Sequence, residues 1–307
     1  MGTVTEPSGV RTLRPVTLVY VNGGLFEERD AVISVFDHGL TTGDGVFESI
    51  LVTGGRTFAL RRHLDRLERS ATIIGLAMPP RDELGTAVAA VVASSEWSEA
   101  KVRITVTGGS GPLGSARVEG PPTVIVALTP LAPVAVDDDG EGGGGGTPAA
   151  ESPRGARVAI APWPRTDLGP SAGAKTISYV ENVVALAWAH RQGASEALFA
   201  NLAGDICEGT GSNLFLGLGA RLITPPLRSG CLAGVTRSLV IELTGAEEAD
   251  LPVGSLSDVT EAFLTATSRG VQPIEWLGDR HVPECPGPLT LNAAEAYAHL
   301  VASDLDP

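Results

Sequence analysis

The chain has 307 residues, enough to bury a substantial core in two domains, with an ordinary apolar share, few aromatics and many Gly and Pro. Its formal charge of −14 argues against nucleic acid or an anionic membrane as partner, although a local basic pocket still admits an anionic substrate. Cys207, Cys231 and Cys285 lack metal-ligand spacing and suit a reducing cytoplasm, residues 1–15 lack an apolar signal-peptide core, and no apolar run approaches the roughly 20 residues of a membrane span, so a cytoplasmic protein without a bound metal is expected.

In chain order, 16–22 and 31–35 read as strands around a Gly23-Gly24 turn, and 45–52 as a strand ending in the turn Thr53-Gly54-Gly55-Arg56. Leu60, Leu64, Leu67, Ala71 and Ile74 recur at helical spacing, which predicts an amphipathic helix stopping near Gly75. A second helix is expected over 81–95, then strands over 101–107 and 123–128. Asp137-Asp138-Asp139-Gly140-Glu141 and the glycines 142–146 offer no apolar surface to offset their ordering entropy. The segment 133–156 is therefore expected to be a flexible linker between a domain over 16–132 and another over 157–303. Beyond it come a strand 157–161, a helix 180–191 stopping at Gly193, and short strands 196–201, 214–218 and 221–224. A helix 235–244, a strand 262–266 and a last helix from about Asn292 complete the reading. Strands and helices mixed in two segregated halves mean an α+β fold.

One glycine motif is misleading. Gly109-Ser110-Gly111-Pro112-Leu113-Gly114 matches Gly-x-Gly-x-x-Gly after a strand, but a dinucleotide fingerprint needs its last glycine to open a helix. Here Pro112 interrupts it and another strand follows, so the reading is a substrate-facing loop.

The chemistry concentrates in the second half. Lys175 lies in Ala174-Lys175-Thr176-Ile177-Ser178-Tyr179. About thirty residues on comes Cys207-Glu208-Gly209-Thr210-Gly211-Ser212-Asn213-Leu214-Phe215, followed by Thr224 and by Leu232-Ala233-Gly234-Val235-Thr236-Arg237. Singly these residues are ordinary, since most lysines are solvated and Val-Thr-Arg is common. Jointly, the lysine, Glu-x-Thr-x-x-Asn-Leu-Phe, Thr and Leu-x-Gly-Val-Thr-Arg resemble the class IV aminotransferase family. That family comprises branched-chain and D-amino-acid aminotransferases and aminodeoxychorismate lyases, all pyridoxal 5'-phosphate (PLP) enzymes of fold type IV. The resemblance runs from about Val16 to Leu300, apart from the linker.

It implies an N-terminal α/β domain and a C-terminal barrel-like domain with PLP between them, in a homodimer whose sites lie near the interface. By the same resemblance Lys175 holds PLP as a Schiff base and later carries a proton, and Glu208 keeps the pyridine nitrogen protonated. Gly234-Val235-Thr236 opens a helix whose N–H groups and dipole suit the phosphate, with the Thr236 hydroxyl added. Leu232 packs on the PLP ring, and Tyr179 contacts its phenolic oxygen, although in branched-chain members the tyrosine lies one residue further from the lysine. Thr267-Ser268 resembles a pair near phosphate and substrate.

Four first-half residues are also implicated. Arg66, in His63-Leu64-Asp65-Arg66-Leu67, resembles the arginine that grips the phosphate bidentately. Because Leu64 and Leu67 face the core, Arg66 need not be buried, and a solvated arginine is the alternative. Arg103 shares a strand face with Thr105 and Thr107; it resembles the arginine that holds a substrate carboxylate in branched-chain members, the alternative being a surface salt bridge. Phe47 lines the substrate pocket or sits in the core. Asp37, His38 and Asp44, in Asp37-His38-Gly39-Leu40-Thr41-Thr42-Gly43-Asp44-Gly45, are expected to tie loops together.

Three functions follow from the resemblance. The first, and the one expected, is a lyase converting 4-amino-4-deoxychorismate to 4-aminobenzoate and pyruvate for folate supply, because the Arg-x-His carboxylate trap of D-amino-acid aminotransferases is replaced by Leu113 and Ser115 and the motifs look most like actinobacterial proteins of that description. The second is an aminotransferase for D- or branched-chain amino acids. The third, a PLP-binding protein without turnover, sits poorly with Lys175 and Glu208 together.

Overall fold

A computed structural model of the chain describes residues 18–131 and 155–307, so most of the expected linker lies outside the described residues. The chain begins with strands β1 (Leu18–Val21) and β2 (Gly24–Glu27), a short helix α1 (His38–Thr42), and strands β3 (Gly45–Thr53) and β4 (Arg56–Thr57). Helices α2 (Leu60–Ile74) and α3 (Arg81–Ala93) and strands β5 (Ala100–Thr107) and β6 (Thr123–Pro130) follow. These strands form one antiparallel sheet in the order β2-β1-β6-β5-β3-β4.

Period-two alternation decides what this sheet buries. Val46, Ile50 and Val52 of β3, with Val102, Ile104 and Val106 of β5, pack with Leu64, Leu67 and Ala71 of α2 and Leu84, Val88 and Val91 of α3. Glu48 occupies the same inward row of β3 and is fully buried. The opposite row, starting at Phe47, faces the second half of the molecule.

The second half contains strand β7 (Ala156–Ile160), helix α4 (Val180–Arg191), strands β8 (Glu196–Ala200), β9 (Ile206–Gly209), β10 (Asn213–Leu218) and β11 (Arg221–Thr224), and helix α5 (Val235–Thr244). Strands β12 (Glu247–Glu248), β13 (Glu261–Ala266), β14 (Gly270–Leu277) and β15 (Arg280–His281) and helix α6 (Pro288–Ser303) complete it. The nine strands run β12-β11-β10-β13-β14-β7-β8-β9, with β15 paired to β14. β7 pairs in parallel with both β14 and β8. One apolar cluster draws on seven of these strands, among them Val158, Leu198, Ile206, Leu214, Ile223, Leu264 and Ile274, so the sheet wraps around its own interior. Alternate residues serve the outside. Phe215 and Phe263 stack 4.9 Å apart and pack with Leu239 of α5 and Tyr297 of α6, while Phe199 and Cys207 pack with Ala185 and Ala189 of α4. This is the mixed α+β, fold type IV architecture that the resemblance implies.

The sequence reading needs correction in places. Residues 31–35 are not a strand, and Val32 and Val35 are exposed. Asn22 (φ 46°) and Gly23 (φ 95°) form a two-residue turn that returns the chain at once, so β2 takes the role expected of 31–35. α6 starts at Pro288, four residues ahead of the predicted Asn292, with proline in its first turn where no N–H is needed. β9 and β14 were not anticipated, because Cys207-Glu208-Gly209 and Gln272-Pro273 break the apolar alternation that marks a strand.

Candidate active site

The two halves meet at the start of β3. Phe47 N–H donates to the Lys175 carbonyl (3.0 Å), Ile177 N–H donates to the Gly45 carbonyl (3.0 Å), and Lys175 N–H donates to Ser70 Oγ (3.0 Å). The lysine segment thus extends the first sheet while belonging to the second half. Lys175 keeps some solvent contact as a residue, but its amine lies deep, 4.3 Å from the Phe47 ring centroid and 5.7 Å from that of Tyr179. Burial, and then the Arg66 charge, lowers its pKa from 10.5 to about 8.

A cavity of about 80 Å³ opens here and continues into one of about 250 Å³ lined by the 166–174 loop. Arg66, Lys175, Tyr179, Glu208, Leu232, Val235, Thr236 and Thr267 all line the first cavity. The sequence motifs therefore converge on one place. Phe47 and Arg103 stand at its edge, with the Arg103 guanidinium 3.6 Å above the Phe47 ring. Ser268 is exposed and does not line the cavity. Arg103 forms no ion pair among the described residues; its side chain donates only to Thr105 Oγ1 (3.2 Å), so the surface salt bridge is absent.

Glu208, at the end of β9, accepts the Leu232 N–H at 2.8 Å and lies 3.4 Å from Arg165. Burial pushes its carboxyl pKa up, against the pull of Arg165. The first-turn N–H groups of α5 have no acceptor within the helix. Its N-cap, Gly234, must be glycine, since a Cβ there would collide with Asn213 Oδ1.

The structure brings in residues that the sequence reading missed. Arg66 is buried, contrary to the solvated alternative, because Glu48 accepts from both its Nε and Nη2 at 2.6 Å, while Nη1 donates to the Ala233 carbonyl at 3.2 Å. His63 Nδ1 lies 2.7 Å from the same carboxylate. Burial alone would raise the Glu48 pKa, but Arg66 and His63 outweigh it and hold the carboxyl well below the usual range. Burial likewise keeps His63 below an ordinary imidazole, against the pull of Glu48. The signal for Glu48 was present, since a charge in the inward row of a core strand demands a partner. Arg165, on a loop, stacks on Phe199, and its Nε and Nη2 are buried without partners. Nothing in its local sequence marks it.

Asp37, His38 and Asp44 are structural, as expected. Asp37 caps α1 through Gly39 N–H (2.8 Å). Asp44 pairs with Arg117, which also donates to the Ile74 and Gly75 carbonyls and so ties the connection between β5 and β6 to the end of α2.

These groups fit PLP. An amine of lowered pKa suits an aldehyde, a buried carboxyl suits a ring nitrogen, and orphaned helix N–H groups beside Arg66 suit a phosphate. Arg165, which lines the same cavity, has two further donors, Nε and Nη2, without a partner.

The profile of "Amino-transferase class IV" matches residues 45–276. A putative branched-chain-amino-acid aminotransferase of Methanocaldococcus jannaschii is 34% identical over 263 residues, 83% of this chain and 86% of that one. An aminodeoxychorismate lyase of Bacillus subtilis is 30% identical, over 81% and 80%. The crystal structure of a branched-chain aminotransferase from Thermoproteus uzoniensis with norvaline superposes with a TM-score of 0.80 at 30% identity, covering 93% of this chain and 95% of that one. Solved structures similar to this chain hold pyridoxal or pyridoxamine phosphate. The chain belongs to the class IV aminotransferase family, whose enzymes work with PLP.

Proposed function

We propose that this enzyme transfers the amino group of an aliphatic, branched-chain type amino acid to a keto acid. The observation that carries this is Arg103 together with the apolar wall of Phe47 and Tyr179 beside it. Arg103 is a cation without a carboxylate partner, held against a ring whose neighbour is the Lys175 amine, which is where an α-carboxylate belongs. Phe47 and Tyr179, edge to face at 5.3 Å, offer an apolar wall for an aliphatic side chain. The names of the archaeal relatives agree with this reading.

When bound, PLP supplies the electron sink. In our assignment the Glu208 carboxylate would hold a proton at the ring nitrogen, and Tyr179 and Arg165 would donate toward the phenolic oxygen. Arg66, Val235, Thr236 and Thr267 take the phosphate, and Leu232 packs on the ring. Lys175 Nζ would hold the cofactor covalently and, when free, would take the proton from the substrate Cα. Ser268 keeps a substrate role only if its loop turns inward on binding.

The similarity to the Bacillus subtilis lyase favours a second reading, cleavage of aminodeoxychorismate, whose carboxylate Arg103 would also hold. Purified enzyme offered branched-chain amino acids with 2-oxoglutarate, a D-amino-acid panel, and separately aminodeoxychorismate decides between them. A transaminase stops after one half-reaction until a keto acid is added. A lyase yields 4-aminobenzoate and pyruvate over many turnovers without one. Formation of 4-aminobenzoate with no acceptor-dependent transamination would overturn our proposal.

We further propose a homodimer working in the cytoplasm. Val32, Val35, Phe36 and Leu40, and on the other half Leu168, Val180 and Val183, are exposed apolar residues that a second copy would cover. Light scattering at micromolar concentration tests this, and a monomer would refute it. Among the described residues no helix is long and apolar enough to cross a membrane, and no cluster of His, Cys, Asp or Glu has the makings of a metal site.

A further inference from the structure

Glu196, at the start of β8, is 2% exposed and carries out no step assigned above. Its Oε1 accepts the Ala197 N–H at 3.1 Å, the Thr210 N–H at 3.0 Å and the Thr210 hydroxyl. Its Oε2 accepts the Ser212 hydroxyl at 3.0 Å and Arg269 Nη2 at 2.8 Å. Thr210 and Ser212 line the cavity on the segment between Glu208 and Asn213, and Arg269 stands two residues after Thr267, which lines the opposite side. Both hydroxyls of the Glu-Gly-Thr-Gly-Ser motif thus donate to one carboxylate. The motif glycine follows from the same packing, because a Cβ on Gly209 would collide with Ser212 Oγ and approach Glu196 Cδ to 3.2 Å.

The first of the two segments that Glu196 joins reaches the N-terminus of α5, since Asn213 Oδ1 lies against Gly234 and Asn213 Nδ2 donates to the Leu232 carbonyl at 3.0 Å, and the second lines the same cavity as Gly234, Val235 and Thr236 through Ala266 and Thr267. We infer that Glu196 is a positioning residue that sets the grip on the cofactor phosphate by holding the 208–213 and 266–269 segments in register. A carboxylate is required because five donors converge on it; an amide presents a donor of its own to at least two of them. The inference rests on the assignment of the α5 end to the phosphate.

The test compares PLP with pyridoxal, which lacks the phosphate, by titrating each into apo-protein and following its visible absorbance. Glu196→Gln should weaken PLP at least tenfold and pyridoxal no more than twofold, at an apo melting temperature close to the parent's. A merely structural role would weaken both alike. Arg269→Met, which leaves the other four donors in place, should show the same preference at several-fold, and covers the case in which the Gln variant does not fold. The double variant should be no worse than Glu196→Gln, because the two changes break one network. Equal loss of both ligands, or no loss in either single variant, would overturn the inference. Thr236→Val separates its failure from that of the phosphate assignment. If that variant also leaves the preference for PLP over pyridoxal intact, the α5 assignment is wrong; if it lowers the preference while Glu196→Gln does not, only the role of Glu196 is wrong.

Discussion

The lowered pKa of Lys175 has a direct kinetic consequence. Only a neutral amine attacks an aldehyde. With a pKa of about 8, about a quarter of Lys175 is neutral at pH 7.5, against about one part in a thousand at the ordinary 10.5. Burial therefore gives the site roughly 240 times more reactive amine at that pH than a solvated lysine has. Rapid mixing of apo-protein with PLP between pH 6 and 10, following the visible absorbance of covalent attachment, measures this. The rate should rise about tenfold per pH unit below 8 and level off above it, while that of a simple alkylamine keeps rising to about pH 10. Neighbouring charges predict the direction of further shifts. Arg103→Met removes a cation that lowers the pKa and should move the inflection up, whereas Glu208→Gln removes an anion that raises it and should move the inflection down. A rate that climbs through pH 10 without levelling, or two variants that shift the same way, would refute the reasoning.

Glu208→Gln should still bind PLP, because the phosphate contacts persist, yet slow the proton-loss step; single-turnover spectroscopy with wild-type rates would assign Glu208 another task. Glu48→Ala leaves the Arg66 guanidinium buried without its counter-charge, which costs about 3–5 kcal/mol for a buried pair and lowers the apo melting temperature by roughly 6–20 °C at about 2–4 °C per kcal/mol. Added PLP should recover part of that loss, as its phosphate replaces the missing charge, and calorimetry showing a shift under 2 °C in the apo-protein would place Glu48 outside the fold's electrostatic core. Apo-protein stability should rise with pH between about 8 and 10.5, because there the unfolded lysine holds a proton that Lys175 has already released; urea midpoints that are flat or falling in Lys175-dependent fashion over that window would contradict the lowered pKa.

The fold was legible where burial imposes a period. Val46, Ile50 and Val52 announce β3, and Leu60, Leu64, Leu67 and Ala71 announce α2, because one face of each element meets the same core. Residues 31–35 misled for the opposite reason: they are apolar but exposed, and apolarity alone carries no information about pairing. The cavity lining was legible because Lys175, Glu208 and Val235-Thr236 lie in compact motifs. Its supports were not. Arg165 and Glu196 contact their partners only through tertiary packing, at sequence separations of 43 and 14–73 residues, and neither position looks different from a solvated one. The Arg103 salt bridge, too, is absent only because no acid folds near it, which no local pattern reveals.

The order of synthesis adds a further consequence of the strand pairing. The six-stranded antiparallel sheet has all its strands once Pro130 has emerged. Strand β7 then appears, and although β8 arrives soon to cover one edge, its other neighbour, β14, starts at Gly270, roughly 110 residues later. At about 5–20 residues per second, that edge waits roughly 5–20 s on the ribosome. During this interval a folded first half is tethered to an unpaired parallel edge, the geometry most open to pairing with a neighbouring nascent chain. Slowing translation across 161–269 should therefore reduce soluble yield more than equal slowing across 18–130.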